Sequence, residues 1–247
     1  MFITNRIVFS VGGIFKEIGN GLERFGMRIQ GNFACTEQLS RHRRVVRIGT
    51  YTPKIGTGTF IAPNACVIAN VELGDNSSVW YGAVVRGDVN TIKIGKNTSI
   101  CERTSVHVSR SDNIRTGSPC LIGDNVTIGQ ACVIHGCTIG DNSLIEEGVT
   151  LLDGVQVSSG SIVAAGSVVL GGTVIPAGEK WGGAPAKSLG KLTDADVTRI
   201  KDTAANYLEL AVKHDENHML TPYEHMRNEY DARSGVGREE HNPEKYF

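Results

Sequence analysis

The sequence predicts an all-β fold, a left-handed parallel β-helix of hexapeptide repeats with an amphipathic helix before it and an α-helix after it. An aliphatic residue recurs at every sixth position over three runs, 55–85, 94–106 and 122–175. A small residue and a turn pair follow many of these, as in Leu-Gly-Asp-Asn-Ser at 73–77. Helices need a period near 3.6 and sandwich strands a period of 2, so neither explains this spacing. Asparagines stand where each corner needs left-handed backbone, which Asn and Gly tolerate best: Asn76, Asn97, Asn125 and Asn142.

Each hexad predicts one short strand and one sharp corner, and three hexads make one triangular coil. Residues 55–185 therefore correspond to about seven coils of 18 residues, stacked at the inter-strand spacing of about 4.8 Å. The segment 108–120 breaks the period and is rich in polar residues. We expect it to leave the coil as a loop, and insertions in such solenoids often carry function.

Charge divides the chain into three segments. Residues 1–50 hold 8 Lys/Arg against 3 Asp/Glu and form a basic arm, whereas residues 51–191 are nearly neutral and form the β-helix. Residues 192–247 hold 7 Lys/Arg against 12 Asp/Glu, and divide into a C-terminal helix at 192–215 and an acidic tail at 216–247. This asymmetry indicates contacts with other surfaces at both ends.

An amphipathic basic helix is predicted ahead of the repeats. Its apolar positions step by three or four residues, with Lys16, Arg24 and Arg28 off the stripe. Such a segment suits a targeting sequence, an interfacial membrane anchor or a docking helix for a protein partner. The apolar positions are Val11, Ile14, Ile18, Leu22, Phe25 and Ile29.

A second helix is predicted after the repeats. Thr193 and Asp196 resemble a capping box, and apolar residues from Val197 to Ala211 follow at helical spacing, Tyr207 among them. Four histidines in and beyond this helix match no metal template, and we expect them to be solvated: His214, His218, His225 and His241.

Several classes are disfavoured by composition. No apolar run reaches the roughly 20 residues that span a bilayer. The six cysteines form no CxxC pair and no disulfide framework, which favours small buried thiols in a reducing compartment. Nothing in the sequence indicates nucleic-acid binding.

Two histidines within the repeats, His107 and His135, are the candidate metal ligands. Equivalent positions on successive coils stack a few ångströms apart, so both imidazoles can reach one ion. A catalytic zinc needs a third protein ligand and an open position for water. On the residues alone, histidines that only hydrogen-bond across a subunit interface are equally acceptable.

The segments 85–90, 100–108 and 128–137 resemble a γ-class carbonic anhydrase. The resemblance extends over roughly residues 10–215 to the γ-carbonic-anhydrase subunits of mitochondrial respiratory complex I. It is carried by Gln30-Gly31, Leu39-Ser-Arg-His-Arg43, Trp80-Tyr81-Gly82, Trp181-Gly-Gly-Ala-Pro-Ala-Lys187, Lys191-Leu-Thr-Asp194 and Asn206-Tyr207.

This resemblance implies a trimer with a zinc site at each subunit interface. His107 and His135 match two ligands from one subunit, and Gln130 occupies the position of a histidine that the neighbouring subunit donates. An amide oxygen is a harder and weaker ligand than imidazole, so zinc is expected only where a partner chain supplies the third histidine.

The resemblance also implies roles for four other residues. Arg86 and Asp88 match family positions that serve both the site and the trimer contacts. Cys101 replaces a glutamine near the metal-bound water, and Glu102 replaces an aspartate beside it. These departures disfavour catalysis by this chain.

The resemblance therefore implies a structural, inactive carbonic-anhydrase-like subunit. Its expected partners are related γ-carbonic-anhydrase chains in a trimer, complex I membrane-arm subunits, and a membrane surface contacted by residues 10–30. Its expected location is the matrix side of the mitochondrial inner membrane. An active zinc γ-carbonic anhydrase and a hexapeptide-repeat acyltransferase, which shares the β-helix, remain the alternatives.

Overall fold

A computed structural model describes residues 2–30, 42–109 and 117–219. The chain divides into two units, residues 1–42 and residues 43–247. The predicted loop of residues 108–120 is described only at its ends, and residues 220–247 of the predicted acidic tail lie outside the described residues. Where the loop leaves the coil, the Ser109 amide donates to the Ser118 carbonyl at 3.3 Å, so its two ends meet at one corner.

The first unit contains helix α1 (Phe2–Gln30), which is longer than the stripe that predicted it. The six apolar side chains of that stripe are 45–72% exposed. Helix α1 therefore presents an exposed apolar face. Across the described residues, no helix is both long and apolar enough to cross a membrane.

The second unit is a left-handed parallel β-helix with three faces, as predicted. The first face begins with β1 (Val45–Val46) and the first halves of β4 (Cys66–Leu73) and β6 (Val84–Ile94), both of which bend round a corner. It continues through β8 (Ser105–His107), β11 (Val133–His135), β14 (Thr150–Leu151) and β17 (Val168–Val169).

The second face starts at β2 (Lys54–Ile55) and includes the second halves of β4 and β6. Its other strands are β9 (Cys120–Ile122), β12 (Thr138–Ile139), β15 (Gln156–Val157) and β18 (Val174–Ile175). The third face comprises β3 (Phe60–Ile61), β5 (Ser78–Val79), β7 (Ser99–Ile100), β10 (Thr127–Ile128), β13 (Leu144–Ile145), β16 (Ile162–Val163), β19 (Glu179–Gly183) and β20 (Ala186–Lys191). All these pairings are parallel except the last, where β20 runs antiparallel to β19 and ends the stack.

The aliphatic repeat forms the core of this unit. Val85, Val106, Ile134 and Leu151 are fully buried on successive coils of the first face. At the corners, the four predicted asparagines have φ values of 51–54°, the left-handed conformation that the sequence analysis required of them. Four cysteines of the repeats are buried free thiols, which confirms their predicted packing role: Cys101, Cys120, Cys132 and Cys137.

Helix α2 (Asp194–Met219) packs on the third face and contacts β3, β5, β7 and β10. Its predicted capping box is present, because the Asp196 amide donates to the Thr193 hydroxyl oxygen at 3.2 Å and the Thr193 amide donates to the Asp196 carboxylate at 3.1 Å. Ile200, 4% exposed, packs against Leu144 and Ile162 of the third face.

The expectation of a solvated His214 is wrong. Its ring lies 5.1 Å from that of Trp80, and its Nδ1 lies 2.9 Å from the Tyr81 hydroxyl. His214 is seven residues beyond Tyr207, so both occupy the helix face that docks on the β-helix. His225 and His241 lie outside the described residues, as does the side chain of His218.

Candidate functional site

His107 and His135 lie side by side on the first face, at the ends of β8 and β11. Their backbones are in register on neighbouring coils, which confirms the predicted stacking. The rings are nearly parallel, with centroids 5.2 Å apart, and His107 Nδ1 lies 3.2 Å from His135 Nε2. Parallel pairing of successive coils therefore holds two imidazoles at one edge of the face.

Charged residues surround this pair. Asp88 lies between Arg86 and His107: one carboxylate oxygen is 3.3 Å from Arg86 Nε, and the other is 3.7 Å from His107 Nε2. Asp153 contacts His135 Nδ1 and fixes the orientation of that ring. We call these five residues the histidine edge. Asp153 was missed by the sequence analysis because it lies in a turn one coil further on, with no motif around it.

The electrostatics of the histidine edge disfavour protonation of His107. Burial lowers the pKa of His107, and the proximity of Arg86 and His135 lowers it further. Its Nε2 is buried without a hydrogen-bond partner among the described residues, because the distance to Asp88 is too long for a hydrogen bond. A neutral imidazole with an unpaired nitrogen is the form that binds a metal ion.

Three other predicted site residues lie at the opposite edge of the first face. Cys101 and Glu102 occupy the turn after β7, and Gln130 occupies the turn after β10. The Ala131 amide donates to the Glu102 carbonyl at 2.8 Å, which places Gln130 in register with Glu102. Glu102 and Gln130 therefore form a vertical pair, as the two histidines do.

Tyr207 of α2 covers this pair and, like Asp153, has no site role predicted from the sequence. Cys101 and Gln130 both lie close enough to its hydroxyl to shift its pKa. Burial, followed by the contact with Cys101, raises the pKa of Tyr207. Burial also raises the pKa of Cys101 to about 12, so the thiol stays protonated at neutral pH. We call Cys101, Glu102, Gln130 and Tyr207 the glutamine edge.

The glutamine edge also contains an unpaired oxygen. Glu102 Oε2 is buried without a hydrogen-bond partner in the described part of the chain. Such an atom normally has a partner, because leaving it unpaired costs free energy. Both edges therefore carry an unsatisfied atom of a type that binds metals.

One chain does not bring the two edges together. Gln130 precedes strand β11 and His135 ends it, so the two lie at opposite edges of the first face. Across the described ranges, no three His, Cys, Asp or Glu side chains of a single chain are grouped so that they could hold a metal.

The donor set fits a three-histidine zinc site only in part. His107 and His135 supply two imidazoles, but Gln130 offers a neutral amide oxygen, which suits harder ions than zinc. The chain alone therefore lacks the ligand set that leaves a zinc-bound water to react.

The fold and this arrangement match hexapeptide-repeat proteins. A family model described as bacterial transferase hexapeptide (six repeats) matches residues 52–87 and 119–153. A solved structure, a hexapeptide transferase family protein from Anaplasma phagocytophilum, is 37% identical, with a TM-score of 0.63. That match covers 68% of this chain and 96% of the other.

Two curated relatives define the family more narrowly. Gamma carbonic anhydrase 2, mitochondrial, from Arabidopsis thaliana is 42% identical over 95% of this chain and 88% of its own length. Gamma carbonic anhydrase 3, mitochondrial, from the same organism is 49% identical over 83% of this chain and 80% of its own length. The chain therefore belongs to the γ-carbonic anhydrase family.

Proposed function

We propose that this chain is a structural subunit of the γ-carbonic anhydrase family that does not hydrate CO₂ by itself. The observation that carries this proposal is Gln130, which stands at the glutamine edge where the resemblance implies a zinc-binding histidine. Catalysis by zinc needs three protein ligands and an open position where bound water has a pKa of about 7. In an assembly of identical chains, position 130 offers no histidine to complete the pair formed by His107 and His135.

The separation of the two edges supports a cyclic trimer. In a ring built by rotation about an axis parallel to the β-helix, the histidine edge of one chain meets the glutamine edge of the next. The exposed side chain of Val133, between the two edges on the first face, is compatible with a covered surface. Related γ-carbonic anhydrase chains are the proposed partners, because side-by-side β-helices of the same fold would place their corresponding coils at the same height.

A second candidate function follows from the intact histidine edge. If a related chain contributes a histidine where this chain has Gln130, then His107 and His135 complete a three-histidine zinc site at that interface. An active carbonic anhydrase in a mixed trimer is thus compatible with an inactive trimer of this chain alone. Family membership disfavours the acyltransferase alternative, and the site offers no observation in its favour.

The proposed location is the matrix side of the mitochondrial inner membrane, on the membrane arm of respiratory complex I. Support comes from relatives whose names include the word mitochondrial and from the resemblance to complex I subunits. Helix α1 adds a physical reason, since its apolar stripe is exposed and Arg24 and Arg28 suit an anionic lipid surface.

Isolation of the native assembly tests this proposal. The full chain is purified under mild detergent with a C-terminal tag, and its neighbours are identified by mass spectrometry and cross-linking. We expect related γ-carbonic anhydrase chains cross-linked along the first face, together with membrane-arm subunits of complex I. Recovery of the chain as a soluble assembly without respiratory subunits would contradict the location, and rapid CO₂ hydration by that assembly would contradict the structural role.

A further inference from the structure

The hydrophobic core of the β-helix reaches solvent at its first coil. Val45 of β1 is in register with the fully buried Val67, and Ile55 of β2 is in the same way in register with the buried Leu73. Strands in register turn equivalent side chains to the same side, so Val45 and Ile55 point into the core. They are nevertheless 36% and 42% exposed. In the described ranges β1 and β2 each pair with β4 alone, which leaves the core open above them.

The opposite end of the β-helix is closed. Val169 and Ile175 are the last aliphatic residues of the first and second faces, and both are fully buried. Trp181 of β19 and Ala186 of β20 pack against the core there. Solenoid folds need a cap at each end, because the terminal coil has a neighbour on one side only. The described residues supply a cap for the last coil and none for the first.

The turn between β1 and β2 enlarges the exposed apolar surface. Ile48 and Tyr51 hydrogen-bond each other through their backbones, at 3.1 and 3.0 Å, and their side chains are 45% and 54% exposed. We call Val45, Ile48, Tyr51 and Ile55 the open end. An apolar cluster of this kind marks a surface that another segment or molecule covers.

Positive charge surrounds the open end. Residues 42–59 contain four Lys/Arg and no Asp/Glu. Lys54 is paired with Glu72, but Arg44 donates to the Ile61 carbonyl and Arg47 to the Gly49 carbonyl, which leaves their charges without a carboxylate in those bonds. The segment that covers this end should therefore combine apolar side chains with acidic ones.

Helix α2 carries the chain towards the open end. Ile200 packs on β13 and β16, whereas the His214 ring lies 5.9 Å from the ring of Phe60, on the first strand of the third face. The helix continues for five residues to Met219, about 7.5 Å further at 1.5 Å per residue. Residues 220–247 therefore start near the level of the first coil.

The sequence that follows α2 has the required composition. Residues 223–231 hold three acidic residues against one basic residue. Their large apolar side chains recur at spacings of three and four, which predicts one apolar stripe. The acidic residues are Glu224, Glu229 and Asp231, and the apolar ones are Tyr223, Met226 and Tyr230.

We infer that residues 220–231 fold back over the open end of the same chain and cap the β-helix. The apolar stripe covers the open end, and the acidic residues lie beside Arg44 and Arg47. This cap also shields the unpaired edges of β1 and β2, which could otherwise pair with another chain. The β-helix is then closed by β20 at one end and by residues 220–231 at the other.

Photochemical cross-linking of the full-length chain tests the cap. Tyr51→p-benzoylphenylalanine places the probe at the open end, and Leu189→p-benzoylphenylalanine is the control, because Leu189 is exposed in β20 at the other end. Labelled (¹⁵N) and unlabelled chains are mixed, so that links within one chain are distinguished from links between chains. We expect position 51, and not position 189, to link to residues 220–231 of its own chain. Links from position 51 only to residues 31–41, to another copy or to no protein segment would overturn the inference.

Charge reversal gives a second measurement that needs no probe. Glu229→Lys with Asp231→Lys should speed hydrogen exchange of residues 44–55 by roughly two- to fivefold, as expected for the loss of exposed ion pairs. Glu239→Lys with Glu240→Lys is the matched control, since it makes the same change of charge outside the capping segment. Exchange that is unchanged in the first variant, or equally fast in both, would contradict the cap.

This inference and the proposed function can fail separately. The cap uses neither the first-face edges nor position 130, so its absence leaves the structural role intact. Rapid CO₂ hydration by the chain would overturn the structural role and would not alter the expected cross-link from position 51.

Discussion

The two edges of the first face differ in what they have retained. The histidine edge holds two stacked imidazoles, with Asp153 on one ring and Asp88 and Arg86 beside the other. The glutamine edge presents oxygen and sulfur groups, with Tyr207 packed over Cys101 and Gln130. The same β-helix thus supports both edges equally well. A different residue at one edge therefore need not disturb the fold or the opposite edge.

The largest expected effect concerns the histidine edge. His135→Ala should weaken metal binding by a mixed trimer by more than about 100-fold, because it removes a proposed ligand and not an outer-shell partner. Calorimetric titration of stripped protein with ZnCl₂ measures this. His214→Gln is the control, since His214 lies on the third face against Tyr81 and should leave metal affinity unchanged. Equal metal binding by His135→Ala and the unmodified chain would show that the histidine edge is not a metal half-site.

A smaller effect is expected on the free energy of unfolding. Here a change at the glutamine edge should cost more than a change at the histidine edge. Tyr207→Phe removes a partly buried hydroxyl beside Cys101 and Gln130, and should lower the free energy of unfolding by about 0.5–1.5 kcal/mol. Asp153→Asn alters a carboxylate that is 52% exposed and should cost less than about 0.5 kcal/mol. Urea unfolding followed by circular dichroism compares the two. A larger loss for Asp153→Asn would contradict the packing assigned to Tyr207.

The smallest expected effect is a pH dependence that arises at the histidine edge. The folded chain lowers the pKa of His107 by burial and by the charge of Arg86, so the unfolded chain binds a proton more readily. The free energy of unfolding of metal-free protein should therefore fall as the pH drops below the ordinary histidine pKa of about 6.5. His107→Gln should reduce this slope. An identical slope in both proteins would assign the pH dependence to other groups.

Much of the fold could be predicted because it is periodic. The six-residue spacing, the corner asparagines and the Thr193–Asp196 capping box are local signals, and each appears in the structure where it was expected. The stacking of His107 on His135 was predictable for the same reason, since coil register follows from the repeat.

The parts of the site that could not be predicted depend on long-range packing. Tyr207 reaches Gln130 only because α2 returns along the third face, and no local pattern fixes that docking. The His214–Tyr81 contact has the same origin. The Glu102–Gln130 pair is encoded by the repeat, but its unpaired oxygen is visible only once the side chains have been placed.

CO₂ hydration by the pure, metal-loaded chain is the most direct test of the central claim. Stopped-flow measurements would compare the unmodified protein with Gln130→His, which restores a third imidazole at the glutamine edge. We expect the unmodified chain to give the rate of buffer alone and Gln130→His to exceed it. Equal and rapid hydration by both proteins would contradict the account, because the residue at position 130 would then not decide whether the site is catalytic.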